Sequence, residues 1–359
     1  MREGQDTDVP SSEGSPKERV KRSGRLAAFV EAYTLVFLLI AIGLFFTFFS
    51  RTAATFGTLG NLQAVVGNQS VIAVVTLAAL VPIASDEWDL SVGANAGLCS
   101  IIVAKAMSEG VAIPLAILLG IGVGFLVGLF NGIVVTRFGV NGIITTIGTA
   151  TILNGVAQMI TGGVSLLANI PQSVTHFGSG TWIGLPRIGW VLVLITVAVY
   201  YLLNDTPFGR YLYAIAANRE AASLVGLRTR RLVTWAFICA GILAGVAGAL
   251  WVARSGGASP RVGDQFLIPA LSAAFLSAAV IKPGTFNVLG AIVAVFFLAV
   301  IGAGLNLAGT QQYVTNYVNG AFLIIGVGLA AYLGRRRRRG GSGSRKEAGD
   351  HTSVDSEGA

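Results

Sequence analysis

Charged side chains are scarce in this sequence. They make up 12% of its 359 residues, where a soluble domain carries roughly 25%. The deficit excludes a water-facing surface over most of the chain. Cysteine and histidine are scarcer still, at two each. Cys99 and Cys239 lie in apolar runs and read as small core residues rather than a disulfide. His176 and His351 stand far apart in a loop and a tail, so no metal-ligand cluster is expected. There is no GxxxxGK[ST] stretch, HExxH, nucleophile elbow or CxxC. The chain is therefore not expected to be an enzyme, to carry catalytic residues, or to bind a cofactor. If ATP supplies energy, a partner subunit hydrolyses it.

What is present is apolar: 53% hydrophobic residues and a mean hydropathy of +0.72. A bilayer core about 30 Å thick takes about 20 apolar residues per helix. The runs Phe29–Phe49, Leu62–Val81, Ser91–Met107, Ile113–Val135, Ile143–Ile160, Ile188–Leu203, Leu232–Val252, Phe266–Ile281, Phe286–Asn306 and Val318–Leu333 predict an all-α, polytopic membrane protein of about 10 transmembrane helices, some of them broken. Residues 29–334 form the expected membrane domain. Residues 1–28 and the basic, Gly/Ser-rich residues 335–359 are expected to be disordered cytoplasmic tails. The first 25 residues carry no cleavable signal pattern. The net charge of +8 sits in loops and tails, as the positive-inside bias predicts, and does not point to nucleic acid. With ten spans, both termini fall inside. Glycines at 120, 122, 124 and 128, and at 241, 245 and 248, have the spacing that lets helices pack closely in lipid.

The longest polar interruption is Asn204–Arg231, with Arg210, Arg219, Arg228, Arg230 and Arg231 against Asp205 and Glu220. A short arginine-rich loop between spans belongs on the cytoplasmic side. Asn218 is the expected N-cap of a short helix, Glu220 falls in its first turn, and Gly226 stops it. The loop is either a handle for a soluble partner or a solvated segment that only sets orientation.

Ser85–Gly93 places Asp86, Glu87 and Asp89 between two apolar runs. Carboxylates at membrane depth line a cavity, pair, or reach an interface. Ser91, Gly93 and Asn95 weaken a helix there, and broken helices are tolerated only inside protein or beside water. The stretch is either a break at a translocation path or an ordinary acidic turn. Asn131, Thr145 and Thr149 add polar groups to otherwise apolar helices. Each could line the path, or bond silently to its own helix.

Three stretches together resemble the permease subunits of binding-protein-dependent ABC importers of the ribose, xylose and galactose branch. Asp89-Leu90-Ser91-Val92-Gly93 is similar to the branch's DLSVG signature. Asn131-Gly132, with Ile144-Thr145 and Gly148, is similar to its NG…T.G segment. Gly209-Arg210, Ala214, Asn218, Glu220-Ala221-Ala222 and Gly226 match its cytoplasmic loop. The similarity runs from about Leu62 to Leu333. It implies a multi-pass protein of the bacterial inner membrane that imports a monosaccharide or similar polar metabolite. The implied partners are two ABC ATPase subunits or one fused tandem ATPase, an extracytoplasmic substrate-binding protein, and a second permease chain, identical or not. Gly209, Arg210, Asn218, Glu220, Ala221, Ala222 and Gly226 are then the ATPase-coupling loop. Asp89, Ser91, Gly93, Asn95, Asn131, Thr145 and Thr149 are candidates for the translocation path. An ion-coupled secondary carrier using Asp86, Glu87 or Asp89, and an ABC permease for nucleosides or amino acids, are the alternatives.

The chain departs from the branch at four places. Asp86-Glu87-Trp88 stands where a Gly-Gly pair is usual, Asn141 where proline is usual, and Asn218-Arg219 where Asn-Pro is usual. The glycine-rich stretch between the eighth and ninth spans is replaced by Ser277-Ala278-Ala279 and Lys282 to Asn287.

Overall fold

The computed structural model describes residues 16–350, and the side chains of residues 32–332. Five helices follow one another through short turns: α1 (Pro16–Phe48), α2 (Leu59–Ile83), α3 (Val92–Ser108), α4 (Ile113–Arg137) and α5 (Gly142–Thr161). A short helix, α6 (Gln172–Ser179), and a hairpin of β1 (Thr181–Trp182) antiparallel to β2 (Leu185–Pro186) precede α7 (Arg187–Tyr200). One π-helical turn, Tyr201–Asp205, leads into α8 (Pro207–Ala217) and α9 (Arg219–Leu224). Then come α10 (Thr229–Ser255), α11 (Val262–Leu276), α12 (Val288–Leu307) and α13 (Gln312–Asp350). Eight segments are long and apolar enough to cross a bilayer, and Ala32–Phe48 and Val92–Ser108 are shorter apolar helices. The all-α, polytopic fold is thus observed, with apolar helices where the hydropathy runs predicted them. Helix α1 begins at Pro16 and α13 ends at Asp350, so helix enters both segments expected as tails. The remainder of those tails, residues 1–15 and 351–359, lies outside the described residues.

Local chemistry sets several helix starts. The Thr58 side chain accepts from Asn61 N ahead of α2, Asn141 from Ile143 N and Ile144 N ahead of α5, and Asn287 from Gly290 N ahead of α12. Each satisfies backbone donors that have no partner within the helix.

Helices α2 and α10 form the spine. Within their most apolar windows 67% of residues are buried, against 22% for α4 and α5 and 6% for α13. The poorly buried helices leave apolar faces for lipid or another chain. Helices α4 and α10 meet backbone to backbone. A Cβ on Gly124 would overlap the Gly241 carbonyl, one on Gly241 would overlap the Gly124 carbonyl, and one on Gly128 would overlap the Phe237 carbonyl. Gly120 instead faces α3 at Cys99 and Val103, and Gly248 faces α3 at Ala96 and Ser100. Gly122 meets nothing within 4 Å, so its place in the glycine pattern has no packing role.

The turns define two faces. On one, Lys282 Nζ donates to Asn204 Oδ1 and Tyr213 donates its hydroxyl to Phe286 O, beside the arginine-rich loop. On the other, Gln63 bonds Gly184 O, Arg254 Nε donates to Asn68 Oδ1, and Leu166 bridges Ala258.

Candidate functional site

The arginine-rich loop is two helices, not the single one expected. Thr206 caps α8 by accepting from Gly209 N. Gly209 lies so close to the Leu203 backbone that a side chain there would collide with it. Leu212 and Ile215 turn inward while Arg210 and Tyr211 face out. The expected cap of α9 forms: Asn218 Oδ1 accepts from Ala221 N at 2.9 Å. Glu220 sits in the first turn, where the helix dipole favours an acid. The stop is a Schellman motif. Gly226 takes φ +86°, while Leu227 N donates to Ala222 O and Gly226 N to Ser223 O.

Packing makes α9 a knob. Ala222 is buried with Val135, Ile215, Val233 and Phe237, whereas Glu220 and Ala221 are exposed. Leu224 and Val225, at 87% and 77% exposure, project from its end. Two adjacent apolar side chains held bare on a capped turn suit a partner's groove better than solvent.

The acidic stretch is a helix break between α2 and α3, in which Asp86 is exposed but Glu87 and Asp89 are not. Glu87 is 8% exposed and Asp89 3%. Asp89 Oδ1 accepts from Ser91 N at 2.9 Å and from Ser91 Oγ at 2.6 Å. Burial pushes the Asp89 carboxyl up to about 6, with the Ser91 bonds opposing. The chain of bonds continues: Asn131 Nδ2 donates to Ser91 Oγ at 2.9 Å, and Thr149 Oγ1 donates to Asn131 Oδ1 at 2.7 Å. Four of the seven path candidates thus satisfy one another and stitch the break to α4 and α5. Thr145 bonds the Asn141 carbonyl of its own turn. Asn95 accepts from Cys99 Sγ and reaches the Gly124 carbonyl at 3.5 Å. Gly93 allows α3 to touch Gly263 and Leu267 of α11. Asn131→Leu keeps the branched shape of the side chain but removes both linking bonds. It is expected to cost about 2 kcal/mol, as loss of buried hydrogen bonds does, read as a lower unfolding temperature in detergent.

Neighbouring aromatic groups extend the break toward the loop. Trp88 stacks on Phe275 with centroids 4.7 Å apart, and Phe275 meets Phe286 edge-on at 5.9 Å. The Phe286 carbonyl takes the Tyr213 hydroxyl at 3.0 Å. Burial pushes that phenol up to about 12, so it remains a donor. The divergent Ser277–Asn287 stretch is folded on itself, with Asn287 Nδ2 donating to Ser277 O and Val280 O, each at 2.8 Å.

One polar pair was not anticipated. Asn154 Nδ2 of α5 donates to Asp264 Oδ1 in the first turn of α11, at 3.1 Å. Helix α11 begins deep, with Gly263 against Gly93 and Gly97 of α3. Thr151, Gln158 and Gln265 are exposed along the same helices. Asp264 is the one acid between Glu220 and Glu347 in the sequence, and a lone carboxylate in an apolar run is itself a signal of function. Among the described residues, no group of three or more His, Cys, Asp or Glu could hold a metal ion.

Comparison with known proteins follows the same lines. A family model described as "Branched-chain amino acid transport system / permease component" matches residues 61–327. The autoinducer 2 import system permease protein LsrC of Photorhabdus laumondii is 29% identical over 286 residues, covering 80% of this chain and 86% of that protein. The protein of the same name in Yersinia pseudotuberculosis is 27% identical over 299 residues, covering 83% and 84%. No solved structure matches the chain.

Proposed function

Because the chain belongs to the family of permease components of branched-chain amino acid transport systems, we propose that it forms half of a sugar-conducting path, worked through α9 by a separate ATPase. Members of this family are membrane-spanning importer subunits, not enzymes, and they work with ATPase and substrate-binding partners. The reading places the arginine-rich face in the cytoplasm of a bacterium, with both termini on that side, following the positive-inside bias. Two permease chains, alike or not, meet along the poorly buried helices. Two ATPase subunits, or one fused tandem ATPase, take up their α9 knobs, and nucleotide is bound by those subunits alone.

The cargo in this reading is a monosaccharide or a sugar-derived polar molecule. The resemblance to the ribose, xylose and galactose branch supports it, as does the autoinducer 2 import named for the relatives. The observation that carries the path is the Asn154–Asp264 pair, exposed on two apolar helices. A carboxylate and an amide side by side can accept from and donate to sugar hydroxyls while binding them weakly. Asp89, Ser91, Asn131 and Thr149 then act behind the path, by holding α5 in place.

The test uses the full complex in vesicles, with binding protein outside and ATP inside. Asp264→Asn is expected to lower uptake about tenfold, the worth of one charge-assisted hydrogen bond, while the complex still assembles. Unchanged uptake would remove Asp264 from the path. Active accumulation by the chain without its ATPase would overturn the reading as a whole.

A further inference from the structure

Arg219 Nη1 and Glu87 Oε1 form an ion pair at 2.6 Å, across 132 positions of sequence. Arg219 opens α9, and Glu87 lies in the break between α2 and α3. The other Glu87 oxygen, Oε2, rests against Gly142 at the head of α5, where a Cβ would come within 2.9 Å of it. A carboxylate at that end is favoured by the helix dipole. Leu90 N also donates to Thr146 Oγ1 at 3.1 Å, and that hydroxyl lies 3.3 Å from the Trp88 carbonyl, so the break and the head of α5 are joined at several points. Three of the four departures from the importer branch therefore meet here: Glu87, Arg219, and Asn141, which caps α5. Each looks like a loss when read alone. Together they replace two usual prolines and a glycine pair with a capped helix and a charge pair.

We propose that the Glu87–Arg219 pair is a strap that carries the motion of α9 to α5, and so to Asn154 and Asp264. Both residues are positioning residues in this scheme. Without the strap, α9 is held through Ala222 against α4, α8 and α10, none of which carries Asn154 or Asp264. The Arg219 side chain is half exposed, at 48%, while that of Glu87 is mostly buried, at 11%. Removing Arg219 alone therefore leaves a buried carboxylate unpaired, whereas Glu87→Gln and the double variant leave no buried charge, and in those two the loss should appear in coupling rather than in assembly. The inference rests on the reading that α9 docks on the ATPase.

The experiment measures solute taken up per ATP hydrolysed in the reconstituted complex, for Glu87→Gln, Arg219→Gln and the double variant. Each single change is expected to lower that ratio about fivefold, the lower end of typical coupling between sites. The double variant should be no worse than either single change, because both remove the same contact. Arg219→Lys should recover part of the loss, and the ATPase should co-purify with Glu87→Gln and the double variant as it does with the unaltered chain. An unchanged ratio overturns the strap. So does loss of the ATPase from those two variants, which would make the pair part of the docking surface instead. Docking is checked separately, by cross-linking a Leu224→Cys chain to the ATPase. Failure there sinks the docking reading and the strap with it, whereas successful cross-linking with an unchanged ratio sinks the strap alone.

Discussion

Leu224→Asp is expected to abolish ATP-driven uptake while leaving the chain folded in the membrane. The side chain is 87% exposed, next to Val225 at 77%, so the chain itself loses almost no packing. Neither side chain takes part in the Asn218 cap or in the bonds around Gly226 that hold α9 in shape; Val225 contributes only its backbone N–H, which donates to Ala221 O. A docked partner experiences the change differently. Burying one leucine contributes about 1.5–3 kcal/mol, and an unpaired carboxylate in its place adds a desolvation penalty. Together these weaken docking by a factor on the order of 100 or more, since each 1.4 kcal/mol is tenfold. Co-purification of the ATPase and stimulation of its activity by loaded binding protein should both fall to background. Retention of the ATPase by Leu224→Asp would show that the subunits meet elsewhere on the chain.

The second large effect concerns the fold. Gly124→Ala and Gly241→Ala should each deplete folded protein from the membrane, and Gly124→Leu more so. An added Cβ at either position overlaps the other's carbonyl oxygen, which belongs to backbone and cannot rotate away. The helices must separate, and overpacking of this kind costs about 3 kcal/mol or more. Against a total stability of about 5–15 kcal/mol, that is a large share of the margin, and losses of this size lower the abundance of folded protein several-fold or more. Gly122→Ala is the control: it lies on the same helix, nothing stands within 4 Å of its new methyl group, and it should leave yield and unfolding temperature unchanged. Equal yields from Gly122→Ala and Gly124→Ala would contradict the observed contact between α4 and α10.

These two predictions also mark what could be read from the chain and what could not. The spans were legible because hydropathy is a local property and the bilayer fixes their length. Asn218, Glu220 and Gly226 were legible for the same reason, since a cap and its stop lie within one short helix. The pairing of Glu87 with Arg219 was not, because the partners are 132 residues apart and each read as an isolated departure. Nor was the Ser91–Asn131–Thr149 chain, whose members looked like separate candidates for a wet path. Glycine spacing pointed to close packing, but only helix rotation separates Gly124 from Gly122. Helix α8 was missed because a short amphipathic turn inside a charged loop offers no long apolar run. Asp264 carries no motif, and only its isolation between Glu220 and Glu347 sets it apart in the sequence.

The glycine seam has a mechanical side. Where backbone rests on backbone, there is no layer of side chains to yield when one end is pushed. Helix α10 has 27 residues, which at 1.5 Å each make a beam about 40 Å long. Ala222 of α9 plugs in at its base, beside Val233 and Phe237. A tilt of roughly 5° imposed there displaces the far tip by about 3 Å, comparable to the small shifts that switch packed interfaces elsewhere. On the proposed docking of α9, the α4–α10 pair acts as a lever, with a short push at one end amplified at the other.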